Sequence, residues 1–194
     1  MIYSLKMGEK RWVQMKKGKR LSAGEMARAG LFTAIICVCA FISVPAAVPF
    51  TLQLLAVFTA AGLLGVRGSF LAVFVYLLLG ACGLPVFSGF RGGVGVLLGA
   101  TGGFLFGFIP AALIVSCGVK SCGRSVPVLF CSMLAGLIAC YAVGTAWFAL
   151  VYSGGEDGLG AVLLSCVVPY IVPDLAKIAV SVYLTKRLER FSAK

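Results

Sequence analysis

Pro169-Tyr-Ile-Val-Pro-Asp-Leu-Ala-Lys177 is the stretch on which the reading of this chain turns. It sits inside a long apolar run, Gly160 to Thr185, yet it carries Asp174 and Lys177, the one acid and the one base set in the middle of any apolar run of the sequence. Three positions apart, the two side chains share one face of a helix. A charge at membrane depth costs several kcal/mol, so such residues face a cavity or a partner and mark a functional path. An ion pair that only fixes helix packing is the plainer alternative. Pro169 and Pro173 weigh against it. They loosen the helical ladder beside the pair, and broken backbone at that depth is tolerated where it lines protein or water.

Composition places the stretch in a membrane. Of 194 residues, 61% are hydrophobic and only 12% charged, with a mean hydropathy of +1.07. Soluble domains are nearer half apolar and a quarter charged. The apolar runs are too long and too continuous for barrel strands, which predicts an all-α integral membrane protein. The net charge of +11 does not point to nucleic acid. Eight of the 17 Lys and Arg fall before residue 29, four more lie in the last nine residues, and Arg67, Lys120 and Arg124 stand between apolar runs. That is the distribution of cytoplasmic loops, with anionic lipid headgroups as neighbours. Most of the eight cysteines lie in or beside apolar runs, and there is no histidine, so neither a disulfide framework nor a metal site is expected.

The runs divide the chain into a basic cytoplasmic tail (1–25), a membrane domain (26–188) and a short cytoplasmic end (189–194). Six transmembrane helices are predicted, over 26–44, 51–66, 69–84, 104–119, 126–151 and 160–185. Both termini then lie in the cytoplasm, and the acidic loop with Glu156 and Asp157 lies outside. The basic start is read as a tail rather than a cleaved leader, because it is long and prolines crowd the cleavage position. Gly30-x-x-x-Ala34 in the first helix, and Ala23-x-x-x-Ala27 just before it, place small residues four apart, where another helix can approach closely.

Between helices 3 and 4 runs Leu84-Pro-Val-Phe-Ser-Gly-Phe-Arg-Gly-Gly93, followed by Leu98-Gly-Ala-Thr-Gly-Gly103. It is apolar, dense in glycine and too short to span, which predicts a re-entrant segment or a lid. No Gly-Lys-Ser/Thr follows, so it is not a phosphate-binding loop. In this topology Gln53, Arg91, Asp174 and Lys177 fall in the outer half of the protein or near its midplane. Together Arg91, Lys177 and Asp174 sum to +1, which suits a small anion that also offers polar groups to a carboxylate. Tyr141 lies deeper in the fifth helix, where core packing is its default role; Trp147, nearer the end, is an expected interfacial anchor.

At these same residues the sequence resembles the BioY family of biotin transporters, the substrate-binding S components of energy-coupling factor transporters. The resemblance rests on Val48-Pro-Phe-Thr-Leu-Gln53, Leu84-Pro-Val-Phe87 with Gly89-Phe-Arg-Gly-Gly93, Leu98-Gly-Ala-Thr-Gly-Gly103, and Pro169 to Lys177, in order over residues 26–188. It implies a six-helix domain in the cell membrane that binds biotin from outside, above a transmembrane coupling protein and two ATP-binding subunits. It implies no cofactor in this chain and no enzymatic activity, ATP being used by the partners. Carried over residue by residue, Gln53, Phe87, Arg91, Gly92, Gly93, Tyr141, Asp174 and Lys177 are expected at the substrate. Docking on the coupling protein is expected through Ala23, Ala27, Gly30 and Ala34. Either Arg91 or Lys177 suits the biotin carboxylate. The alternatives are an S component for another vitamin, a membrane enzyme using Asp174 and Lys177 as acid and base, and a purely structural subunit.

Overall fold

The computed structural model describes residues 21–44, 49–152 and 159–192. Residues 1–20 of the basic tail, the tip of the first loop, most of the acidic loop and residues 193–194 lie outside them. Helix α1 runs Ala23–Phe41 and starts three residues earlier than the apolar pattern predicts. The reason is a capping box: Ser22 Oγ accepts from Glu25 N (3.2 Å), and Ser22 N donates to Glu25 Oε2 (2.7 Å). Two short strands follow, β1 (Ser43–Val44) and β2 (Phe50–Thr51), paired antiparallel with Val44 opposite Phe50.

Helix α2 spans Gln53–Ala81 but is two antiparallel limbs, residues 53–64 and 66–81. Gly65 adopts φ 71° and ψ 176°, a left-handed conformation open to glycine, and the chain reverses there. The consequence is visible at the far end. Gln53 is hydrogen-bonded to Tyr76, whereas 23 residues of straight helix would hold them about 35 Å apart. The reversal falls at the end of the second predicted helix (51–66), before Arg67.

The glycine-rich segment after α2 contains a single turn at Ser88–Phe90 and the short helix α3 (Val94–Leu98). It is pinned to α2 rather than held off it. Gly93 N donates to Gly80 O (2.7 Å), Phe87 N donates to Arg91 O (2.9 Å), and the buried Phe87 ring fills the notch left by Gly80. A Cβ at residue 80 would lie 2.0 Å from Phe87 Cζ. The tip is tied to α1 by Phe90, stacked on Phe41 at 4.4 Å.

Helices α4 (Gly102–Cys122) and α5 (Val126–Trp147) pack tightly, because glycines on each admit the other. A Cβ at Gly103 would meet Trp147, and one at Gly144 would meet Phe104. Trp147 does more than anchor: its Nε1 donates to Gly99 O (3.1 Å), joining α5 to the loop. After a π-helical turn at Phe148–Tyr152, the last apolar run is divided in two, α6 (Leu159–Cys166) and α7 (Ile171–Ser192), by a 3-10 turn at Val168–Tyr170. The sixth predicted helix is therefore interrupted, at Val167 (φ −124°), just before Pro169, one of the two prolines expected to loosen the ladder, which has no N–H to continue it. Among the described residues five helices are long and apolar enough to cross a membrane, and one of these is the reversed α2. The core between α2, α4, α5 and α7 is filled by Phe58, Tyr76, Leu129, Met133 and Ile178.

The two ends of this bundle differ. At one, Arg124 donates from Nε and Nη2 to the carbonyls of Gly62 and Leu63 (3.0 and 3.1 Å), closing the end of the first limb of α2. Lys186 bonds Arg124 O and Glu189 (3.1 and 3.0 Å). The opposite end holds β2, the pinned loop and the break before α7.

Candidate functional site

The break before α7 and the start of α2 face each other across a cavity whose empty space, counting its open mouth, is about 700 Å³. Its wall is mostly apolar and aromatic: Phe50, Phe87, Phe104, Phe108, Leu54 and Leu105. Pro169 and Pro173 frame the end of α7, so Asp174 lies in its first turn and Lys177 one turn on. Both are buried, at 5% and 6% exposure, and Lys177 Nζ lies 2.6 Å from Asp174 Oδ1. The other carboxylate oxygen, Oδ2, accepts from Tyr141 OH at 2.6 Å. The Lys177 ammonium also sits 3.8 Å from the centre of the Phe50 ring, a cation–π contact that β2 supplies. A desolvated charge pair is tolerated only where its spare valences are met. Here Tyr141 and Phe50 meet part of them, and the remaining lone pairs and N–H groups face the cavity.

Gln53, at the first position of α2, is 4% exposed. Thr51 Oγ1 donates to its Oε1 (2.9 Å), and its Nε2 donates to the Tyr76 hydroxyl. Arg91 is exposed at the mouth, where its Nε donates to Ser88 O (3.3 Å) and the loop carries its guanidinium over the opening.

Of the residues the sequence singles out for substrate, Gln53, Phe87, Arg91, Tyr141, Asp174 and Lys177 converge on this one cavity. Gly92 and Gly93 do not line it. Gly92 serves the loop's own packing, since a Cβ there would lie 2.2 Å from Leu84 O, whereas Gly93 takes φ 93°, a conformation open to glycine, and its N–H donates to Gly80 O. Ala23, Ala27, Gly30 and Ala34 are all exposed on α1, and nothing approaches a Cβ at Gly30 within 4 Å. The structure adds Phe50, Thr51 and Tyr170 to the wall, each within a stretch the sequence already marks, and Cys140 and Cys166, which read as small hydrophobes.

The arrangement is an apolar slot with an open mouth, a neutral acid–base pair and an amide inside, and one guanidinium at the entrance. It fits a small solute with a polar, uncharged head, an apolar body and an anionic end.

Three comparisons bear on what that solute is. Residues 14–194 match the model of the BioY family. The chain is 40% identical over 171 residues to the biotin transporter BioY of Thermotoga maritima, covering 88% of this chain and 98% of that protein. It is 36% identical to a probable biotin transporter BioY of Pyrococcus horikoshii, covering 87% and 98%. A crystal structure of the S-component for biotin from an ECF-type ABC transporter superposes with a TM-score of 0.80 at 25% identity, over 88% of this chain and 95% of that one. The relatives are transporters rather than enzymes, and with the family model spanning nearly the whole sequence, this chain belongs to the BioY family.

Proposed function

We propose that the chain binds biotin in this cavity and serves as the S component of an energy-coupling factor transporter in the cytoplasmic membrane. The observation that carries the reading is the meeting of Asp174, Lys177, Tyr141, Gln53 and Arg91 around one apolar slot. The ureido ring of biotin is a polar uncharged head with two N–H donors and one carbonyl. Asp174 takes an N–H, and Lys177 or Gln53 takes the carbonyl. The thiophane ring and chain lie against Phe87, Phe104 and Phe108. The carboxylate meets Arg91, since Lys177 is already neutralised by Asp174 and Arg91 is the cation at the mouth.

The cationic end with Arg67, Lys120, Arg124 and Lys186 faces the cytoplasm under the positive-inside rule, which turns the cavity outward. The exposed face of Ala23, Ala27, Gly30 and Ala34 docks on a transmembrane coupling protein served by two ATP-binding subunits. ATP hydrolysis there reorients the domain and releases biotin inward.

The test is retention of radiolabelled biotin by membranes containing the chain, competed by an excess of unlabelled biotin, lipoate, thiamin or riboflavin. Competition by biotin alone is expected. Competition by another of these vitamins at equal or lower concentration assigns the site to that vitamin and overturns the biotin reading.

A further inference from the structure

Behind Gln53 lies a buried hydrogen-bond chain that reaches the loop. Tyr76 is completely buried and does not itself line the cavity. Its hydroxyl lies 3.3 Å from Val86 O, in the loop, and is the acceptor for Gln53 Nε2. A carbonyl oxygen only accepts, so Tyr76 donates to Val86 and has its lone pairs left for Gln53. Nε2 must therefore point to Tyr76 and Oε1 to Thr51, whose hydroxyl donates to it and accepts from Gln53 N (3.4 Å). The orientation of an amide is settled by its network, and here the network ends on an atom with one possible role. The Tyr76 ring is held as firmly: it meets Phe87 edge-on at 5.5 Å.

We infer that Tyr76 is a positioning residue for ligand recognition: it fixes which way the Gln53 amide faces, and so the order of donor and acceptor the pocket presents, and it ties that amide to the backbone of the loop at Val86. The inference rests on the biotin reading above. It also explains why a Tyr rather than a Phe stands at a wholly buried position whose packing needs only the ring.

The experiment is equilibrium binding of biotin to the purified full chain in detergent, for wild type, Tyr76→Phe, Gln53→Leu and the double variant, with thermal unfolding of each ligand-free protein alongside. Tyr76→Phe keeps the ring and removes one oxygen. It is expected to weaken binding about tenfold, the effect of leaving a buried amide N–H without its acceptor and free to turn. On the Gln53→Leu background the same substitution should change affinity less than about twofold, because the group it positions is gone. Should Gln53→Leu fail to fold, Thr51→Val replaces it: both ends of the chain release the same amide, so Tyr76→Phe and Thr51→Val must be less than additive. A merely structural role for Tyr76 predicts an equal loss on every background, and that result overturns the inference, as does unaltered affinity in Tyr76→Phe. Wild-type protein that is folded but binds no biotin overturns the proposed function and this inference with it. Binding by wild type with full additivity overturns the inference alone.

Discussion

Replacing Asp174 separates what holds the fold from what holds the ligand. The carboxylate accepts from Lys177 Nζ and Tyr141 OH, both at 2.6 Å, with the two charged side chains each 7% exposed. In Asp174→Asn, Lys177 keeps its charge at that depth without a counter-charge: the amide offers one oxygen where Lys177 Nζ and Tyr141 OH each had their own, and the Phe50 ring is the other described contact of the ammonium. Breaking a buried pair from one side costs about 3–5 kcal/mol. A cation–π contact returns about 0.5–2 kcal/mol, but it is already present in the wild type and adds nothing new. The single variant is therefore expected to lose about 3 kcal/mol or more of stability and to unfold at a clearly lower temperature in detergent. Removing both charges, in Asp174→Leu with Lys177→Met, leaves no unpaired charge, only the half-buried Tyr141 hydroxyl at the cavity without its acceptor, and apolar replacement of a whole buried pair is commonly neutral or stabilising by about 1–4 kcal/mol. The double variant should thus regain wild-type thermal stability. Its biotin binding should not return, since a charged hydrogen-bond partner of the ligand is worth about 2–5 kcal/mol, a loss of roughly thirtyfold to several thousandfold in affinity. Differential scanning fluorimetry and isothermal calorimetry on the same preparations read the two quantities. A double variant that is stable and still binds biotin as tightly as wild type would show the pair to be packing glue and refute the site.

Further predictions follow the same geometry. Gly80→Ala puts a Cβ 2.0 Å from Phe87 Cζ; the overpacking should cost about 1–3 kcal/mol, lower biotin affinity by displacing Phe87 from the cavity wall, and be partly relieved by Phe87→Leu, as seen in melting and calorimetry. Gly30→Leu meets nothing within 4 Å, so melting and biotin binding in the isolated chain should match wild type while co-purification with the coupling subunits and uptake by cells fall; unchanged uptake would remove α1 from the docking face. Arg124→Ala forfeits the bonds to the carbonyls of Gly62 and Leu63 and should lower stability by about 1–2 kcal/mol, yet leave biotin affinity within a factor of about two, because that cluster lies at the opposite end from the cavity.

Much of this was legible in the residues themselves. An Asp and a Lys three apart in an apolar run, beside two prolines, announce both a buried pair and a broken helix, and the structure shows the break at Val167 and the pair at 2.6 Å. Positive charge between the runs marks one end of the bundle, and Arg124 and Lys186 do lie together there. The start of α1 was equally readable, since Ser22-x-x-Glu25 is a capping box, although hydropathy alone places it at Met26. What the pattern hid depends on tertiary proximity. Tyr141 reads as core from its position alone and is expected at the substrate only through the family resemblance; its contact with Asp174, 33 positions away, appears once α5 is packed. Tyr76 reads as one more aromatic in a helix until the reversal at Gly65 lays it beside Gln53. Glycine is read less easily: Gly92 and Gly93 suggest backbone close to a ligand, but the close approach at Gly92 is to the loop's own Gly83 and Leu84, and Gly93 is needed for its positive φ.

The most direct measurement is a calorimetric titration of biotin into the purified, monodisperse chain in detergent, beside Asp174→Asn. Saturable binding of one biotin per chain in the wild type, with no measurable heat in the variant, is the expected result. A folded wild-type chain that takes up no biotin, or a variant that binds it undiminished, would show that the cavity between α2 and α7 is not a biotin site.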